Sequence, residues 1–139
     1  MRQTVREFAL RTQGKGVYEF TNEVVEWVDA QKFSSGLLTL FCRHTSASLV
    51  IQENADRDVQ VDLVSAFERL VPEGRGLYTH TAEGPDDMPA HIRSVLTGVQ
   101  LSIPLMGGRL ALGTWQGICL FEHRDAPHRR TVAAHLLGE

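Results

Sequence analysis

Gly107-Gly108 stands between two apolar runs, "VQLSIPLM" and "RLALGT". Two successive glycines tolerate positive φ at both central positions of a two-residue turn. Such a turn matches the twist of paired strands, so the stretch predicts a β-hairpin. A hairpin needs a sheet to receive it. Four further strand-length apolar runs supply one: "GLLTLFCRH", "SASLVIQ", "GICLFEH" and "RTVAAHLL". "REFALRT" and "VYEFT" flank Gly14-Lys15-Gly16 and predict a second hairpin.

Between these runs the hydrophobic period lengthens. Behind Asn22, a candidate cap, Val24, Val25 and Val28 fall on one helical stripe. From Asp56 to Leu70, the residues Leu63, Val64, Phe67, Leu70 and Val71 make the clearest helical stripe of the chain, ended by Pro72 and Gly74. A short strand is expected around Leu77 to His80. A third helix follows in "MPAHIRSVLTG", with Asp87 placed to cap it, Pro89 in its first turn and Gly98 ending it. Strict βα alternation is missing. The expected class is therefore α+β: a single domain over residues 1–139, a mostly antiparallel sheet or sandwich flanked by helices.

A chain of 139 residues with 42 % hydrophobic content fills one core. Its net charge of −3 argues against a nucleic-acid partner, although Arg124, Arg129 and Arg130 crowd one stretch. No apolar run approaches the roughly 20 residues of a membrane span, and "MRQTVREFALRTQGKG" lacks the apolar segment of a secretory signal. The expectation is a cytoplasmic protein with no membrane partner. Cys42 and Cys119, without CxxC spacing and inside apolar runs, read as small buried hydrophobes.

The residues able to carry chemistry gather in a few places. "YTHTAEGPDDMPAHIRS" brackets Glu83, Asp86 and Asp87 between His80 and His91. His44 ends a strand and is followed by Thr45-Ser46, whose hydroxyls suit an anion or a metal-bound water. His91 is expected in the first turn of its helix, where free N–H groups favour neutral imidazole, the form that binds metal. Three imidazoles from separate elements, His44, His80 and His91, with a water in the fourth position would make a catalytic zinc arrangement. The spacing permits this geometry without encoding it. Asp87 serves equally well as a helix cap. Glu53 and Asn54 end an apolar strand and point polar groups at a junction. Trp115, in "GTWQG", offers a ring for stacking or merely for packing. Glu122 shares strand parity with Ile118 and Leu120, so it needs a partner or a raised pKa. Arg124 has the parity to be that partner, in which case Glu122 is structural.

"HTSASLVIQENADRDV", "EGPDDMPAHIRSVLTG" and "GRLALGTWQGICLFEHR" resemble the blocks of the YjbQ-type family, also called secondary thiamine-phosphate synthase. The resemblance runs from about Phe20 to the C-terminal "GE". It implies a compact antiparallel β-structure with helices, a homotrimer with pockets near subunit contacts, and a weak activity joining a pyrimidine methyl diphosphate to a thiazole phosphate with release of diphosphate. The matching positions supply the remaining candidates. We take His44, Glu53, Glu83, Glu122 and His123 as catalytic. Thr45, Ser46, Asn54, Arg93, Trp115, Gln116 and Arg124 are taken as substrate-binding.

Three functions are therefore expected to compete. The first is thiamine-phosphate synthesis. The second is a metal-dependent hydrolase or lyase acting on a small substrate. The third is a non-enzymatic trimeric module that binds a metal or ligand. The expected cofactor is a divalent ion, zinc or magnesium, and the expected substrate is phosphorylated. Basic groups around the histidines would favour diphosphate release, whereas carboxylates would favour activation of water.

Overall fold

The computed structural model describes residues 1–139. Two antiparallel sheets enclose one core. The larger has the order β1(Arg2–Thr12), β8(His128–Gly138), β3(Gly36–Cys42), β5(Gln100–Met106), β6(Arg109–Leu110). The smaller places β7(Gln116–Glu122) between β2(Gly16–Glu19) and β4(Ala47–Glu53). The helices are α1(Thr21–Gln31), α2(Arg57–Leu70) and α3(Asp87–Thr97). The α+β class with a mostly antiparallel sheet is the observed one.

Strand alternation builds the core. Leu38, Leu40 and Cys42 of β3 and Val132, Ala134 and Leu136 of β8 point inward, where Leu49 of β4 and Ile118 and Leu120 of β7 meet them from the other sheet. Val24 and Val28 carry the stripe of α1 into the same cluster. Gly107 and Gly108 have φ of 58° and 78°, the two positive values that a type I′ hairpin turn requires.

Four expectations are corrected. "REFALRT" and "VYEFT" do not form a hairpin: β1 pairs with β8 over its full length and β2 pairs with β7. The Gly14 turn, with φ of 116°, carries the chain from one sheet to the other instead. No strand forms around Leu77 to His80; this segment is turn and loop. The stripe of α2 is shallow. No α2 residue is buried, and Leu70 is exposed, because α2 rides on the rim of the smaller sheet; Leu63, Val64 and Phe67 are half-buried, with Phe67 edge-on to Phe121. Helix α1 also starts two residues earlier than a cap at Asn22 predicts. Thr21 begins it, and Thr21 Oγ1 accepts the Ile118 backbone N–H at 2.8 Å.

Cys42 and Cys119 are buried free thiols. Burial pushes the Cys119 thiol up to about 12. No helix is long and apolar enough to cross a membrane.

Candidate metal centre

Asp87 was placed as a helix cap, but it opens α3 as the first helical residue, and Asp86 takes the cap position without a side-chain cap bond. One turn on, His91 is the i+4 neighbour of Asp87, past the first turn rather than inside it. This spacing stacks imidazole above carboxylate on one helix face. Loop residue His80 closes on the same carboxylate. Its Nε2 lies 2.6 Å from Asp87 Oδ2, and His91 Nε2 lies 3.1 Å from the same oxygen. The donor atoms of His80, Asp87 and His91 are all within 4.8 Å of one another.

The other nitrogen of His91 fixes its chemistry. Nδ1 sits 2.9 Å from the Thr45 carbonyl oxygen. A carbonyl has no proton to give, so Nδ1–H must donate. In a neutral ring this leaves a lone pair on Nε2 aimed at the carboxylate. Two acceptors at 3.1 Å repel unless a positive charge, a proton or a metal ion, sits between them. A backbone carbonyl orienting a histidine in this way is a common support for a metal ligand.

Arg124 holds the carboxylates from behind. Its Nε donates to Asp86 Oδ2 at 2.9 Å, its Nη1 to Asp87 Oδ1 at 2.6 Å and its Nη2 to the Glu83 carbonyl at 3.0 Å. Burial works to raise the Asp87 pKa, but His80, Glu83 and the Arg124 charge together hold it below the usual carboxylate range. Asp86 is likewise depressed: against its burial stand the Asp125 backbone N–H and Arg124. Both carboxylates are therefore ionised in neutral solution. Two imidazoles and one carboxylate form a donor set suited to a divalent transition metal. Around a tetrahedral zinc, donors stand about 3.3 Å apart. His91 and Asp87 are near that separation, and half-exposed His80 has room to swing outward.

The structure brings His80, Glu83, His91 and Arg124 together and separates the other candidates. His44 is not in the donor group. Its Nε2 accepts the Thr131 backbone N–H at 2.8 Å, which ties the ring to β8, and burial lowers its pKa. Thr45 contributes its carbonyl. Ser46 Oγ accepts from Arg130 Nη2 at 3.0 Å.

Glu122 is fully buried, and its partner is Arg130 rather than Arg124. Oε1 accepts from Thr12 Oγ1 at 2.6 Å and from Arg130 Nε at 2.7 Å. Oε2 accepts from Arg130 Nη2 and from the backbone N–H of His123 and Arg124. Burial opposes ionisation, yet these donors hold the pKa of Glu122 below the usual range. A carboxylate so fully engaged is a structural anchor. His123 is buried against Ser48, and burial with the Arg93 charge lowers its pKa to about 3. Arg93 is also buried; its Nη2 donates to the Val71 carbonyl at 2.8 Å.

Glu53, Asn54, Trp115 and Gln116 lie at the opposite end of the smaller sheet. The pairing runs from Ala47↔Glu122 to Glu53↔Gln116. Six residue steps along a strand place the two ends about 20 Å apart. There Asn54 Nδ2 donates to Glu19 Oε2 at 3.1 Å, Gln116 Oε1 accepts the Gly113 N–H at 2.7 Å, and Trp115 is exposed.

The donor that sequence reasoning left undecided between a cap and a charged partner of the histidines is Asp87. Its i+4 spacing to His91 was the available signal, masked by the competing explanation of a cap.

The model of the family described as "UPF0047 protein YjbQ-like" matches residues 6–139. A UPF0047 protein of Synechocystis sp. is 51 % identical over 138 residues, covering 99 % of this chain and 94 % of the relative. YjbQ of Escherichia coli O157:H7 is 42 % identical over 135 residues, covering 96 % of this chain and 97 % of its own. Among solved structures, the hypothetical protein APE1520 from Aeropyrum pernix K1 superposes with a TM-score of 0.90 at 32 % identity, covering 98 % of this chain and 99 % of that one. A YjbQ/UPF0047 protein from Clostridium acetobutylicum gives a TM-score of 0.87 at 36 % identity, covering 95 % and 99 %. Sequence and fold therefore agree along the whole chain, which belongs to the UPF0047, YjbQ-like family.

Proposed function

We propose that the protein is a divalent-metal-dependent hydrolase or lyase acting on a small, anionic, phosphorylated substrate, with the metal held by His80, Asp87 and His91. The carrying observation is the orientation of His91: its Nδ1–H is held by Thr45 O, and its Nε2 faces an ionised Asp87 oxygen also faced by His80. The donor set leaves coordination positions for a water, whose pKa a bound zinc lowers toward neutrality. Glu83, next to the ligands and not tied by a side-chain ion pair, is the base candidate.

A cavity of about 620 Å³ opens beside His80, lined by Glu73, Arg75, Tyr78, Thr81 and the Gly84-Pro85 turn. Within this lining Arg75 is a cation without an ion-pair partner. That supports a small anionic substrate. The thiamine-phosphate synthase reading has less support from the geometry. Arg124 is neutralised by Asp86 and Asp87, Arg93 is buried elsewhere, and Trp115 stands at the far end of the sheet. No free cluster of cations remains to receive a diphosphate.

We also propose that the chain assembles as a homotrimer through the outer face of the larger sheet. Val5, Leu37, Phe41, Met106 and Leu137 are exposed there, and Val5, Phe41 and Ala133 line an apolar depression.

The test of the function is metal titration of metal-stripped protein with Zn²⁺, Mn²⁺ and Mg²⁺, followed by assays of phosphomonoester hydrolysis and of thiamine-phosphate formation with the loaded protein. Metal-dependent hydrolysis that His80→Ala abolishes is the expected result. Thiamine-phosphate formation without hydrolysis would move the assignment to the synthase reading. Tight metal binding with neither activity would favour the non-enzymatic module.

A further inference from the structure

Arg93 is 2 % exposed, yet no carboxylate pairs with it. Its Nη2 reaches the Val71 carbonyl, and its Nε is buried without any partner. A buried guanidinium N–H without an acceptor is costly enough that proteins rarely leave one. His123, 1 % exposed, approaches from β7's end with its Nε2 2.9 Å from Ser48 Oγ, and its Nδ1 makes no hydrogen bond within the protein. Arg93 and His123 together line a small cavity of about 10 Å³, closed further by Phe67 and Phe121. That volume is at the threshold for a single water molecule.

We propose that one water molecule is built into this cavity, accepting from Arg93 Nε–H and donating to His123 Nδ1. Every adjoining proton then finds a place. His123 is neutral with its proton on Nε2, which donates to Ser48 Oγ. The Ser48 hydroxyl donates to Thr97 Oγ1 at 2.5 Å, and the Thr97 hydroxyl donates to the Arg93 carbonyl at 2.8 Å. The chain begins at the Arg93 side chain and ends at the Arg93 backbone, clamping α3 onto β4 and β7. Ser94 Oγ, bonded to the Ala47 carbonyl at 2.9 Å, adds a second tie at the same place. The water thus sets the position of the helix that carries Asp87 and His91, and its presence does not depend on a metal there.

An anion is the poorer occupant. Lys15, the other cation lining the cavity, is already surrounded by Glu73 at 3.0 Å, Asp125 at 3.3 Å and Glu68 at 3.8 Å. The space also suits a water better than the larger halides.

The experiment is a high-resolution crystal structure of the protein, a bromide-soaked crystal measured for anomalous scattering, and ¹⁵N NMR of the His123 ring at neutral pH. The expected result is one ordered oxygen within hydrogen-bond distance of both Arg93 Nε and His123 Nδ1, no bromide there, and an Nε2–H tautomer. An empty cavity, a bromide peak, or an Nδ1–H tautomer overturns the proposal. In Arg93→Met the water should vanish and the His123 ¹⁵N signals should shift; a retained water with unchanged signals also overturns it. If that variant does not fold, the wild-type measurements decide alone.

Discussion

His91 is tied to Thr45: its Nδ1 donates to the Thr45 carbonyl at 2.9 Å. This single bond joins α3 to the segment after β3 and turns the opposite ring nitrogen toward Asp87. It fixes a tautomer without needing any other side chain.

Removal of the carboxylate from Asp87, the proposed ligand, should therefore separate metal binding from folding. In Asp87→Asn the shape remains while the negative charge is lost. Zn²⁺ affinity is expected to fall by at least the ~10–100-fold typical of disturbed partners around a metal site. His44→Ala is the contrasting variant, because His44 lies outside the donor group, with its Nε2 tied to the Thr131 N–H. Calorimetric titration of both checks this: equal loss in the two variants, or none in Asp87→Asn, contradicts the assignment.

How much of this was legible in the sequence depends on whether the cause was local. Gly107-Gly108 specifies its hairpin because the turn geometry resides in two residues. The stripe of α1 and the inward parity of β3, β7 and β8 are likewise local periodicities. The pairing of β1 with β8, more than a hundred residues apart in the chain, has no local signature, so proximity to "VYEFT" misled. At the site, His80 and His91 were visible as a bracketed pair. Asp87 was hidden because caps and ligands use the same residue types. The fate of Glu122 turned on Arg130, eight residues away on β8 of the other sheet, while nearby Arg124 had the parity expected of its partner.

The buried histidine gives a pH dependence of definite sign. The imidazole of His123, ordinarily near 6.5, is lowered to about 3 in the fold by burial and by the charge of Arg93. Above pH 6.5 both folded and unfolded states hold it neutral, and its contribution is fully present. As pH falls from 6.5 toward 3, the unfolded chain binds a proton that the folded one refuses, so stability declines across that window. His44 is shifted in the same direction. Urea midpoints at pH 7 and pH 5 should therefore fall in the wild type and fall less in His123→Gln. The interval above about pH 5 lies clear of most carboxylate titrations. An unchanged pH slope in His123→Gln would show that the ring is free to protonate in the fold.

The oligomer prediction rests on one sheet face. Phe41 is 49 % exposed and Leu137 40 % exposed on strands that pair side by side, so a charge introduced there would stand in the middle of the interface. Sedimentation of the wild type should give about three times the chain mass of 15.5 kDa. Phe41→Glu should shift it toward a single chain without loss of secondary structure. A wild type that sediments as one chain at micromolar concentration removes the basis for the trimer.

The last prediction concerns the buried pair Glu122 and Arg130, whose side chains are 0 % and 4 % exposed. Arg130 also donates to the Ser46 carbonyl and hydroxyl, and Glu122 accepts from Thr12, so the pair links β1, β7, β8 and the start of β4. A pair in this position need not stabilise the fold relative to an apolar substitute, because desolvation of both charges offsets much of their attraction. Loss of one partner is a different matter, since it leaves the other charge buried and alone. Arg130→Met is expected to cost about 3–5 kcal/mol. The double variant Glu122→Leu/Arg130→Met should cost less than Arg130→Met alone, since it leaves no uncompensated charge in the core. Guanidinium denaturation of the two variants beside the wild type measures this directly. A double variant less stable than Arg130→Met would mean that the carboxylate keeps its value without the arginine, through Thr12 and the two backbone N–H donors, and that the anchor is a hydrogen-bonded acid rather than an ion pair.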